Sequence, residues 1–97
     1  MEFCIGSVAD ITHVLDLRER LVSVVGSLQE GEALVLDGGD VQRVDCAGIQ
    51  LLASALLGFN KNSITWRWER VSPELKDAAK VLGLENCLNL EGSSPGL

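Results

Sequence analysis

The 97-residue chain has few basic residues, one histidine and no long apolar run. Eight Lys and Arg stand against fourteen Asp and Glu, a net charge of −6 that argues against nucleic acid and anionic membrane as partners. No apolar stretch reaches the roughly 18 residues that a membrane-spanning helix requires. The N-terminus also lacks the basic and apolar segments of a signal peptide. The sequence therefore predicts a cytoplasmic protein without a membrane span.

Cysteine and histidine are too scattered to predict a metal site. The three cysteines, Cys4, Cys46 and Cys87, form no Cys-x-x-Cys pair, and His13 is not at zinc-ligand spacing from any of them. Disulfides are not expected in the cytoplasm. We accordingly predict no metal and no cofactor.

The composition is that of a globular domain. Hydrophobic residues make up 46% of the chain, and its length suits a single modest core. We predict one domain over residues 1–90 and a frayed tail, rich in Gly and Ser, over residues 91–97.

The segment 33–57 is the centre of the pattern. Ala33–Leu36 is apolar throughout, which is typical of a strand buried on both faces. A glycine- and acid-containing loop follows, and a helix then begins with Asp45 as its N-cap and runs to about Leu57. Cys46 would lie in the first turn, at the positive end of the helix dipole.

Two further helices are predicted on either side. The first has Thr12 as its N-cap, presents an apolar stripe and ends before Gly31. The last begins at Ser72-Pro73, a hydroxyl cap followed by proline, and ends at Gly83.

Two further strands complete the pattern. Glu2–Ile5 is predicted as a short strand, and residues 8–11 as a turn. Ile64–Glu69 alternates, and its Trp66 and Trp68 are expected in or beside the core rather than in an exposed aromatic patch. Alternating strands and helices favour an α/β fold with a mostly parallel sheet.

Several segments occur in an order and at spacings typical of a known family: Leu34-Val35-Leu36-Asp37, Val41, Val44 to Ile49, Leu51-Leu52, Ser72 to Leu75 and Val81 to Leu84. Together they resemble the STAS domain family, which includes bacterial anti-sigma factor antagonists. The resemblance covers about Gly6 to Leu90 and implies a sheet of four or fewer strands with three to four helices. STAS domains usually have a further N-terminal strand, which in this chain would precede Glu2. Without one, an open sheet edge would be a pairing liability or the seam of a homodimer.

The resemblance also implies a role for position 46. In STAS antagonists the residue after this aspartate is a Ser or Thr that a partner kinase phosphorylates, whereas here it is Cys46. Several interpretations stay open: a residue kept for its size, an unphosphorylatable and hence permanently binding-competent variant, or a redox switch. A Cys–His thiol enzyme would further require His13 and a group that orients its ring.

The loop and helix contain the predicted partner-binding residues. They are Asp37, Gly39, Asp40, Asp45, Cys46, Ala47, Gly48, Gln50, Ala53, Ser54 and Leu57. The glycine pair could cradle a phosphate, but two flanking aspartates without a Gly-Lys-Ser/Thr motif favour a plain turn whose acids meet basic residues of a partner. On the helix, Ala53 or Leu57 is expected to emerge into solvent.

These observations predict a non-enzymatic module that acts by protein docking. The resemblance implies three classes of partner: an anti-sigma kinase-like ATPase, the ATPase subunit of a lipid-transporting ABC complex, or a chemosensory protein. The sequence does not choose among them.

Overall fold

The computed structural model describes residues 1–90, so the predicted tail at 91–97 lies outside the described residues. Its elements in chain order are β1 (Glu2–Cys4), β2 (Val8–Ala9), α1 (Val14–Ser27), β3 (Leu34–Gly38), β4 (Arg43–Val44), α2 (Cys46–Lys61), β5 (Trp66–Val71) and α3 (Pro73–Val81). A parallel sheet has the order β1-β3-β5, and β2 and β4 form a separate parallel pair.

Among residues 1–90, the helices cover one face of the three-stranded sheet. Phe3, Leu36 and Trp68 lie side by side across the strands, and all three are buried in the core to which every helix contributes. At the next position along the strands, Glu2 and Arg67 are exposed and flank a half-buried Val35. The prediction that the central strand is buried on both faces is therefore wrong, because the helices pack on the Leu36 side.

The segment 8–11 was expected to be a turn, and this expectation is wrong for its first half and correct for Asp10 and Ile11. Val8 and Ala9 pair in parallel with Arg43 and Val44. This two-residue pairing brings the chain before α1 against the start of α2, where the predicted site lies.

The helix boundaries differ from prediction at two ends. His13, not Thr12, is the N-cap of α1, and it makes no side-chain cap hydrogen bond. Helix α2 continues beyond Leu57 to Lys61, because Phe59 extends its apolar stripe into the core. Within residues 1–90, no helix has the length and apolar character that crossing a bilayer requires.

Helix α3 begins and ends as predicted. The buried Ser72 hydroxyl accepts a hydrogen bond from Leu75 N (3.1 Å), and Pro73 is the first helical residue. Gly83 follows the helix with φ of +69°, a conformation that glycine adopts without strain. Leu84 N then donates to Ala79 O (2.8 Å), folding the chain back on the last turn.

The two tryptophans are in or beside the core, as predicted. Trp68 is buried, and its indole nitrogen donates to Leu88 O (2.8 Å). Trp66 is half-buried and donates to Asn60 Oδ1 (2.9 Å).

The β1 edge of the sheet is partly covered by Arg20 of α1. Its guanidinium donates to Cys4 O (3.1 Å) and Ile5 O (3.2 Å) and lies 5.4 Å from the centre of the Phe3 ring. Arg20 Nε also donates to Asp16 Oδ2 (3.0 Å), which fixes the position of the guanidinium. Arg20 thus occupies the carbonyl of the last β1 residue and the next carbonyl along the chain, an arrangement that discourages pairing of this edge with another chain.

Candidate functional site

Asp45 fixes the corner at which α2 begins. One carboxylate oxygen accepts from Gly48 N (3.1 Å), which makes Asp45 the predicted N-cap. The other oxygen accepts from Ile11 N (3.0 Å), so the same side chain also ties α2 to the segment before α1. Both carboxylate oxygens of Asp45 thus already accept hydrogen bonds from its own chain.

Gly48 is a packing residue rather than a surface residue. A Cβ at this position would lie 1.9 Å from Ala9 O, too close for any side chain. The missing side chain lets β2 pass directly over the first turn of α2. Its predicted place in a partner-binding surface is accordingly wrong, since it is buried against Ala9.

Cys46 lies on the outside of this corner. Its thiol is exposed and free, and it makes no hydrogen bond within the described part of the chain. Ala47 beside it is half-buried. An exposed thiol in a first helical turn is next to backbone N–H groups that favour negative charge.

The exposed side of α2 continues from this thiol as a line of uncharged residues. Cys46, Gln50, Ser54 and Leu57, here called the α2 face, are all exposed and recur at intervals of three or four. Leu57 is 52% exposed, as expected. Ala53 is only 9% exposed, so its predicted emergence into solvent is wrong: it lies on the side of the helix occupied by the buried Ile49 and Leu56.

The loop after β3 is closed by an internal ion pair. Arg70 of β5 binds Asp37 through two hydrogen bonds (Nε to Oδ1, 3.1 Å; Nη2 to Oδ2, 2.8 Å), and Gly39 N also donates to Asp37 Oδ1 (2.9 Å). Hydrogen bonds from Arg70, followed by that from Gly39 N, lower the pKa of Asp37. Gly39 leaves room for this arrangement, since a Cβ there would lie 2.8 Å from the Arg70 side chain.

This ion pair changes what the loop can do. Asp37 was expected to meet basic residues of a partner, but Arg70 already neutralises it. The carboxylate also takes the Gly39 N–H that a bound phosphate would need. Asp40 has a more distant contact with Arg70 (3.6 Å) and a side chain that is 60% exposed, so it alone of the two acids is available at the surface.

A polar cluster before α1 was not predicted from the sequence. Asp10 Oδ1 accepts from Thr12 N (3.1 Å) and Thr12 Oγ1 (2.7 Å) and lies 2.7 Å from His13 Nδ1. The contacts with His13 and Thr12 lower the pKa of Asp10. The Asp-x-Thr-His spacing was the available signal, because aspartate side chains commonly bond to backbone N–H groups two residues on.

This cluster bears on the thiol-enzyme interpretation. Asp10 contacts the His13 ring and so supplies the orienting group that this interpretation requires. However, no hydrogen bond joins His13 to the Cys46 thiol among residues 1–90, so the described structure holds no preformed nucleophile–base pair.

The comparison with protein families agrees with the architecture. The chain matches the STAS domain over residues 7–94, and it belongs to that family. The predicted family and α/β fold are thereby confirmed. No curated protein sequence matches the chain.

A solved structure shows the same fold. It is that of a sulfate transporter family protein from Wolinella succinogenes, with a TM-score of 0.71 and 20% sequence identity. The alignment covers 93% of this chain and 71% of that one. At this level of identity the similarity concerns the fold alone.

Proposed function

We propose that this STAS domain is a non-enzymatic regulatory module that docks to a protein partner through the α2 face and the preceding loop. The observation that carries the proposal is that the α2 face is uncharged on a chain in which 23% of residues are charged. The centres of protein interfaces are depleted in charged residues, so this strip suits a contact surface. Asp40 is the exposed acid of the preceding loop, and the half-buried Ala47 follows Cys46 in the chain.

Position 46 sets the regulatory character of the module. In the antagonists that the sequence resembles, a phosphorylated Ser or Thr at this position controls docking, and a helix N-terminus tolerates the added anion. A thiol is not an ordinary substrate for a Ser/Thr kinase. The module is therefore an antagonist-like variant that stays competent to bind.

The class of partner follows from the family resemblance. The first candidate is an anti-sigma kinase-like ATPase, sequestered by this domain. An accessory role beside a lipid-transporting ABC ATPase or within a chemosensory complex is the alternative.

A pull-down from source-cell lysate tests the surface. Wild type and Cys46→Ser should capture the same partner, whereas Cys46→Glu should lose it, because the new carboxylate must be desolvated in an uncharged contact. Cys87→Glu is the matched control, since Cys87 is also an exposed free thiol but lies outside α2. Equal capture by Cys46→Glu and Cys87→Glu would contradict the proposal.

A redox role for Cys46 is the candidate of a different class. The exposed thiol could be oxidised to a sulfinic acid, which would place an anion where relatives carry phosphate. Mass spectrometry after mild peroxide treatment tests it. Preferential oxidation of Cys4 or Cys87 would remove this alternative.

A further inference from the structure

A groove between α1 and α2 lies beside the α2 face and shares only Ser54 with it. Its volume is about 360 Å³, within the range of roughly 300–1,000 Å³ that is typical of small-molecule sites. The walls are mainly aliphatic and aromatic, with Leu21, Val22 and Val25 from α1 and Leu51, Ala55 and Phe59 from α2.

Among the residues that the structure describes, one charged residue lines the groove, and that residue is a cation. Arg18 stands at its side, exposed, and forms no ion pair within the described residues. Within residues 1–90, no carboxylate lines the groove, although the chain carries fourteen acidic residues against eight basic ones. The other polar lining side chains, Ser54 and Asn62, are neutral.

We propose that this groove binds an anionic amphiphile with a single alkyl chain, its chain against the aliphatic walls and its carboxylate at Arg18. Apolar walls favour the chain through the hydrophobic effect, and the unpaired guanidinium selects the sign of the head group. A folded protein partner is disfavoured as occupant, because a stable interface needs about 800 Å² of surface on each partner and the walls of a 360 Å³ groove offer far less.

Gly58 supplies the means of closing the groove. It lines the groove, and a Cβ built there meets no atom within 4 Å. Gly58→Leu therefore adds a side chain to open space, and leucine is a far better helix former than glycine, so the variant should fold. Arg18→Gln removes the charge alone, and Arg67→Gln is its control on the exposed face of the sheet.

The experiment is an NMR titration of the whole isotope-labelled chain with dodecanoate below its critical micelle concentration. We expect saturable shifts confined to groove residues and NOEs from the alkyl chain to the methyl groups of Val22 and Val25. Gly58→Leu should weaken binding at least about tenfold. Arg18→Gln should weaken it roughly two- to fivefold, as expected for an exposed charge pair, and Arg67→Gln should not change it.

Dodecylammonium is the control ligand that distinguishes binding in the groove from non-specific adsorption. The net charge of −6 attracts a cationic amphiphile, so tighter binding of dodecanoate requires a local positive charge, which at the groove is that of Arg18. The proposal is overturned if dodecylammonium binds as tightly, if Gly58→Leu binds dodecanoate normally, or if shifts spread beyond the groove. Shifts of groove residues with protein concentration alone, together with a dimeric mass, would overturn it in favour of a second copy as the occupant.

Discussion

Asp45 holds the start of α2 by two separable hydrogen bonds, and two substitutions can distinguish them. Replacing an N-cap Asp by Ala costs about 1 kcal/mol. Loss of the bond to Ile11 N adds about 1 kcal/mol, a low figure for a charged acceptor because that amide is exposed to water. Asp45→Ala should therefore lower the free energy of unfolding by about 2 kcal/mol. Asp45→Asn, which still caps the helix, should lower it by about 1 kcal/mol.

Urea denaturation measures the free energy of unfolding of each variant. Amide hydrogen exchange then shows which of the two hydrogen bonds each variant has lost. The Ile11 amide should lose protection in both variants, since an asparagine that caps Gly48 turns its NH2 group towards Ile11. The Gly48 amide should stay protected in Asp45→Asn only. Equal destabilisation by Asn and Ala, or an unchanged Ile11 amide, would refute the double role of Asp45.

Three other predictions concern the framework around the site. Gly48→Ala should destabilise the fold by about 2 kcal/mol, since overpacking against the Ala9 backbone costs up to about 3 kcal/mol and the better helix propensity of alanine returns about 1 kcal/mol. Gly58→Ala on the same helix is the control and should be neutral or stabilising. Similar effects of the two substitutions in chemical denaturation would contradict the close packing of Gly48 against Ala9. Arg20→Ala uncovers the carbonyls of the β1 edge and should shift sedimentation profiles towards dimers relative to wild type, so an unchanged profile would show that the arginine does not guard the edge. The lowered pKa of Asp37 contributes stability that is complete above the ordinary value of 3.8 and is lost as pH falls through the lower folded-state value. The free energy of unfolding of Arg70→Gln should accordingly fall less below about pH 4 than that of wild type. Identical pH profiles would show that the Asp37–Arg70 pair does not contribute to the loss of stability in acid.

Local signals in the sequence predicted the elements that depend on adjacent residues. The caps at Asp45 and Ser72, and the glycine that follows α3, each require only side chains within a few positions of the helix end. The exposed position of Leu57 follows in the same way from helical periodicity.

Features that depend on distant contacts were missed or misjudged. Pairing of β2 with β4 involves two residues on each strand, too few to form a hydrophobic pattern. The Asp37–Arg70 pair depends on the register of β3 against β5, which shifts by one residue after Leu36. Burial of the central strand on one face depends on which side the helices cover, and its uniformly apolar sequence does not encode that choice.

The central claim is that the partner contacts residue 46, and calorimetric titration of the captured partner tests it most directly. Cys46→Ser should bind within about threefold of wild type, and Cys46→Glu at least about tenfold more weakly, a difference of at least about 1.4 kcal/mol. Melting temperatures should agree, because a helix N-terminus tolerates an added carboxylate. Equal affinities for Cys46→Glu and Cys46→Ser would contradict the account.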